Sequence, residues 1–272
     1  MKIRMAMKIR FGLALFCLAL SACHGTGTDA GPQSADAFQA AFRVGDSRLL
    51  LRELHTHGRI YGYDLFSLAE IRIEKDTVFA GAPGKIFTVK ATDLWPESVS
   101  VFSERDMLVA EGDSLNLYAF NGGYSGYLFN LVKTAAYDTS VFSDKTTEMI
   151  FPFAAGVKWL LRPPVNSGGG GIDKEWVARE SLPFEGRDYA CDVFVTHSIV
   201  PLKTWVAQFG LLKAEIVYVP MEITDTAGTA LDTTLTNFER YALLKLNPSP
   251  AEIAAATEKY RALSESHMPI SP

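Results

Sequence analysis

The sequence predicts a mainly β protein of antiparallel strands, with one short helix before the strands and one helix after them. Three observations carry that prediction. Short runs with period-two alternation, or with β-branched and aromatic enrichment, recur from residue 47 to residue 246. Turn residues separate them at Gly81-Ala-Pro-Gly84, Asn121-Gly-Gly123, Phe184-Glu-Gly186 and Ala227-Gly228. Helical periodicity is confined to the two ends of this stretch, and many short strands with few helices pair antiparallel.

The N-terminus has the three parts of an export signal. Lys2, Arg4, Lys8 and Arg10 precede an uncharged apolar run from Phe11 to Leu20. That run is about half the length a membrane-spanning helix needs. It ends in Leu20-Ser21-Ala22-Cys23, which resembles the lipobox of bacterial lipoproteins. The resemblance implies cleavage between Ala22 and Cys23, a diacylglyceryl group on the thiol of Cys23, and acylation of the new amino group. Two or more acyl chains hold a protein firmly in a membrane, where one holds it marginally. The alternative is an ordinary secretory signal cut near Ala22, with Cys23 left as a thiol. Met1-Lys-Ile-Arg4 repeats at Met7-Lys-Ile-Arg10, so a start at either methionine leaves a complete signal. His24 and Gly25 follow the cysteine without the Asp that retains lipoproteins at the inner membrane in enterobacteria-like systems. The expected address is therefore the cell envelope, with the outer membrane favoured in a Gram-negative host.

The expected layout is a signal peptide over 1–22, a lipidated tether over 23–33, a β domain over 34–247, and a C-terminal helix and tail over 248–272. Removing residues 1–22 takes four of the 26 basic residues and none of the 31 acidic ones, leaving 22 against 31 and a balance of −9. Such a surface repels nucleic acid and anionic headgroups, so neither is expected as a partner. The expected protein is a monomer. Of the three cysteines, Cys17 leaves with the signal, Cys23 takes lipid and Cys191 stands alone. Cys191 lies in an alternating run with Tyr189, Val193 and Val195 on its face, the pattern of a buried structural thiol.

Ser34 to Arg43 predicts a short helix with Phe38, Ala41 and Phe42 on one face. Strands are predicted at about 47–57, 68–75, 85–91, 98–103, 114–120 and 126–132, and then at about 146–153, 157–162, 175–181, 188–197, 203–208, 212–219, 229–236 and 238–246. Ser249 as N-cap, Pro250 in the first turn and Glu252 in a capping box start the last helix. Its apolar stripe, Ile253, Ala256, Tyr260 and Leu263, needs a sheet to lie on.

Lys75-Asp-Thr-Val-Phe-Ala-Gly81 and Arg179-Glu-Ser-Leu-Pro-Phe-Glu-Gly186 both read as a strand, a Phe-x-Gly turn and a return strand. The echo suggests two similar halves, at about 47–145 and 146–247. Phe151-Pro-Phe-Ala-Ala-Gly-Val-Lys-Trp159, Tyr189-Ala-Cys-Asp-Val193 and Trp205-Val-Ala-Gln-Phe-Gly-Leu-Leu-Lys213 resemble motifs of bacterial envelope lipoproteins of the DUF3108 and TapB-like groups. The likeness is loose over 75–120 and better over 148–246. It departs at Val206-Ala-Gln-Phe209, where those proteins often carry Tyr-Ala-Pro-Gly. It implies a strongly curved antiparallel sheet or half-barrel, similar to lipoprotein-carrier folds. These are packing and turn motifs and bring little chemistry, since fold does not confer function.

Chemistry is sparse. Gly168–Gly171 lacks the Lys-Ser/Thr of a phosphate loop, and Gly123-Tyr-Ser-Gly126 brings its second glycine one position too early for a nucleophile elbow. Glu53, His55 and His57 alternate on one strand face, the spacing of metal ligands, with His197 as a further candidate. The plainer reading of that face is polar and solvated, with no metal. Aromatics such as Trp95, Trp159, Trp176 and Trp205 are plentiful enough to fill the inside of a curved sheet or to line a pocket in it. The expected protein is a non-enzymatic envelope lipoprotein without a cofactor, binding an apolar ligand or a protein partner on a curved sheet. The alternative is a metal-assisted envelope enzyme, or a metal-binding protein, built on His55 and His57.

Overall fold

The computed structural model describes residues 34–57, 62–95, 99–120, 144–162, 171–197, 201–217, 221–224 and 230–266. The signal, Cys23, the tether, the strand expected at 126–132 and the turns at 121–123 and 227–228 lie outside them, as does most of the 168–171 glycine run. Helix α1 (Ala35–Ala40) starts at Ser34, whose hydroxyl accepts the Ala37 N–H at 3.2 Å. Phe38 and Phe42 are buried on one side of it, as the periodicity predicts. Strands β1 (Ser47–His57), β2 (Gly62–Phe79), β3 (Ala82–Leu94), β4 (Val99–Glu111), β5 (Ser114–Phe120) and β6 (Asp144–Ile150) follow. Then come β7 (Lys158–Arg162), β8 (Ile172–Phe184), β9 (Arg187–His197), β10 (Leu202–Ala207), β11 (Gly210–Val217), β12 (Met221–Thr224) and β13 (Ala230–Leu246), before helix α2 (Pro250–Ser266).

The strands form one antiparallel sheet in the order β6-β5-β4-β3-β2-β1-β13-β11-β10-β9-β8-β7, with β12 added to β13. Two meanders, β1–β6 and β7–β13, are joined through the β1–β13 ladder. The chain passes from one to the other at residues 151–157, a little after the division at 145/146 that the sequence suggests. The sheet curls until its edge strands meet. There the Trp159 Nε1–H donates to the Thr147 carbonyl at 2.8 Å, and Lys174 Nζ lies 3.1 Å from Glu148 Oε2. The result is a nearly closed, barrel-like sheet, the curved architecture expected carried almost to closure.

Leu50, Ile71, Phe87, Val89, Leu108, Leu117, Met149, Trp159 and Phe194 gather in the main core together with Phe38 and Phe42 of α1. Helix α1 thus plugs one end of the barrel. The side-chain amide of Gln39 fixes it there by donating to Leu108 O at 2.9 Å and Pro83 O at 3.1 Å. Helix α2 lies on the outside instead. Tyr260 joins Leu49, Leu51, Phe66, Leu68 and Leu94 in a second cluster, with Ile253, Ala256 and Leu263 packed against it. Its capping box is complete, because the Ser249 N–H donates to Glu252 Oε2 at 2.8 Å and the Glu252 N–H to Ser249 Oγ at 3.3 Å.

Several strands differ from the sequence expectation. The runs at 229–236 and 238–246 are one strand, because Asn237, which reads as a break, pairs with Thr56 and stays in the ladder. Strand β2 continues past residue 75 because its ladder with β3 runs on to Phe79↔Ala82, with Asp76 2.5 Å from Lys85 across the pair. A bulge between Ile73 and Lys75 hides this continuation by breaking the alternation. Strand β4 likewise runs through Glu104-Arg105-Asp106 to Glu111. The short β12 was not expected at all.

The echo between 75–81 and 179–186 has a geometric basis. Ala80 and Gly81 join Phe79 to Ala82, and Glu185 and Gly186 join Phe184 to Arg187. All four have positive φ, at 50° and 87° in the first turn and 49° and 76° in the second. This is the pattern of a type I′ hairpin, which matches the strand twist and prefers Asn-Gly. A non-glycine residue held left-handed costs ~1–2 kcal/mol, less for Asn. Ala80→Asn is therefore expected to raise stability by about 1 kcal/mol in urea unfolding. An unchanged midpoint would mean that the turn is not under strain.

Candidate functional site

The bore of the barrel is the most distinctive place in the molecule. Alternation along β1 puts Arg48, Leu50, Arg52, Leu54 and Thr56 on its inner face. At the α1 end Arg48 is buried, its guanidinium 4.6 Å from the Phe42 ring centre and its Nε donating to Phe209 O at 2.5 Å. Burial lowers its pKa to about 10, and the nearby Asp46 opposes that shift. Next to it, Gly210 at φ +108° brings its backbone so near that a Cβ would meet the Phe42 ring at 3.4 Å.

Farther along, the inner wall carries two charged networks. Arg52 Nε donates to Glu239 Oε1 at 2.5 Å, and the Tyr241 hydroxyl donates to the same oxygen at 2.5 Å. Lys174 and Glu148 form a pair whose two side chains are both 0 % exposed, with the Thr146 hydroxyl donating to Glu148 Oε1 at 2.7 Å. Glu148 owes its place to the bulge that leaves it without a partner between Leu115↔Met149 and Asn116↔Thr147. Burial lowers the Lys174 pKa, and Glu148 offsets part of that shift. Sequence reasoning missed this pair. Its one trace in the sequence is a carboxylate at the start of the apolar run Met149-Ile-Phe151.

At the end opposite α1 the Tyr63 and Trp95 rings lie 6.0 Å apart. The strand ends joined by residues 58–61, 95–98, 121–143 and 163–171 lie on this side. Outside the bore, a depression of about 310 Å³ beside the α1–β1 turn is lined by Val44, Gly45, Arg72, Ile73 and Glu74.

Of the sequence candidates for a metal site, Glu53 and His55 lie side by side. The His55 ring lies on the outer face between two carboxylates, with Nδ1 2.8 Å from Asp64 Oδ1 and Nε2 3.5 Å from Glu53 Oε2. Glu53 also accepts from Arg240 at 2.6 Å, and the His55 ring stacks 6.2 Å from Phe238. This gathers Glu53 and His55 with Asp64 and Arg240 into one polar cluster. The His57 side chain lies outside the described residues, and His197 sits elsewhere, 3.2 Å from Glu175. Among the described residues, no three His, Cys, Asp or Glu are grouped to hold a metal ion. Cys191 is 0 % exposed in the core, and burial, reinforced by Asp192 and Glu180, pushes its thiol up to about 12. It is the structural cysteine that the alternation predicts.

No family model and no curated protein matches this chain, so the DUF3108 and TapB-like resemblance is not shown at the family level. Similar solved structures include a lipoprotein candidate from Parabacteroides distasonis, 12% identical over 75% of this chain and 96% of that one, at a TM-score of 0.39. A candidate exported protein with a YmcC-like fold from Bacteroides fragilis is 10% identical over 75% and 96%, at a TM-score of 0.30. A candidate outer membrane lipoprotein-sorting protein domain from Vibrio parahaemolyticus is 10% identical over 83% and 95%, at a TM-score of 0.24. None of them brings a site residue or an activity to this chain.

Proposed function

We propose that the chain is a lipid-anchored protein of the bacterial envelope that holds an apolar ligand in its bore and does no catalysis. One observation carries the ligand reading: the sheet curls into a barrel of twelve strands in its main path, plugged at one end by α1. About eight strands already enclose a space that side chains just fill, so a wider barrel needs a plug, a ligand or both. The main core cluster is apolar, and the two charged networks are each paired internally, Arg52 with Glu239 and Lys174 with Glu148. A curled, plugged sheet leaves no room for a folded partner on its inner face, which favours a slender apolar molecule as the occupant. The envelope address rests on the basic-apolar-lipobox order of residues 2–23, and the DUF3108 and TapB-like motifs agree with it.

The anchor has its own test. Cys23→Ser should abolish incorporation of an alkyne fatty acid and leave precursor or soluble protein; label persisting in the variant would refute lipidation at this residue. The ligand reading is tested by titrating residues 24–272 with the apolar dye 1-N-phenylnaphthylamine. Saturable binding near one dye per chain is expected, and its absence would contradict an accessible apolar bore.

A further inference from the structure

The sheet has one joint unlike the others. From β5–β6 round to β7–β8, neighbouring strands on the path are tied by backbone ladders. Between β6 and β7, among the described residues, the two edges are joined instead by the Trp159 indole on Thr147 O and by the buried Lys174–Glu148 pair. Both strands beside this seam are irregular, with a register shift at Glu148 in β6 and another between Leu160 and Arg162 in β7. The surface alongside is apolar. Val157 is 50 % exposed and Leu160 48 %, while Trp159 and Leu161, on either side of Leu160, are 8 % and 1 % exposed. Val177, in the bulge of the adjoining β8, is 38 % exposed. Strand β7 thus carries apolar side chains on both faces, Leu160 outward and Trp159 and Leu161 inward, beside the buried Lys174–Glu148 pair.

We propose that the β6–β7 seam is the portal through which an acyl chain passes between the outside of the sheet and the bore, with Val157 and Leu160 as its outer landing. The inference rests on the reading that the bore holds an apolar ligand. Parting the seam breaks the Trp159 indole hydrogen bond and separates the Lys174–Glu148 pair, while the β5–β6 and β7–β8 ladders stay intact. Separating the pair costs less than its Coulomb attraction suggests, because both charges recover hydration as water reaches them. A slender chain fits such a slit, whereas a ring system or a folded peptide needs far more strand movement.

The test follows uptake of cis-parinarate by residues 24–272 in stopped flow, with cysteines placed at Thr147 and Leu160 and joined by a reducible bifunctional thiol reagent. Cross-linking should slow uptake at least tenfold, and reductant should restore it. Trp159→Phe, which keeps the ring and removes the seam hydrogen bond, should speed uptake severalfold at unchanged capacity. Equal uptake rates with and without the cross-link would overturn the portal and send the chain in through the Tyr63–Trp95 end. If the uncross-linked protein takes up no probe, the ligand reading fails first and the portal falls with it.

Discussion

Replacing Lys174 with methionine while leaving Glu148 in place is expected to destabilise the protein by about 3–5 kcal/mol, the cost of stranding one charge of a buried pair. Both side chains are fully buried, and the Thr146 hydroxyl already points at the carboxylate. The variant therefore leaves the Glu148 carboxyl in the core without its cation, with the Thr146 hydroxyl still donating to it. Domains are stable by only ~5–15 kcal/mol, so this change removes a large share of the total. The double variant Lys174→Met, Glu148→Leu should recover most of the loss, because an apolar pair of similar volume is often neutral or better. Urea unfolding of the two single variants and the double one closes the cycle. A double variant as weak as Lys174→Met alone would show that packing, not charge, sets the value of this site.

Ending the chain at Asn247 should have a comparable effect by a different route. That cut keeps the two bonds between Asn247 and Ser47, each 2.8 Å, so β13 stays anchored to β1. It removes α2 with Tyr260, which is buried, and Ile253 and Leu263, which are half-buried; full burial of one such side chain contributes ~1.5–3 kcal/mol before ordering costs. It also opens Leu49, Leu51, Phe66, Leu68 and Leu94 to water on the outer face. A helix of this length is marginal alone in water, so its docking is what keeps it folded. The melting temperature should fall clearly, and binding of a hydrophobic dye such as ANS should rise. An unchanged melting curve with no new dye binding would mean that α2 contributes no burial in solution.

The strands and both helices were legible where local pattern and tertiary burial agree. Alternation in 47–57 and 114–120 gave the bounds of β1 and β5, and the Ser249–Glu252 box marked the start of α2. The pattern misled where a bulge shifts the phase, as at Ile73, or where a polar residue stays in the ladder, as Asn237 does opposite Thr56. The His55 spacing was read correctly as one face, but the neighbours that give it meaning come from β2 and β13. Asp64 and Arg240 approach only through strand pairing, which local spacing does not encode. The Lys174–Glu148 pair was invisible for the same reason, since its members come from β8 and β6 and meet only where the sheet closes.

The most direct test of a bore that holds an apolar ligand is native mass spectrometry of the mature protein purified from its own host. The lipidated chain should carry an additional non-covalent mass that is released by organic solvent and recovered as an apolar molecule. A spectrum showing only the lipidated polypeptide, from protein that also fails to bind 1-N-phenylnaphthylamine, would contradict the account.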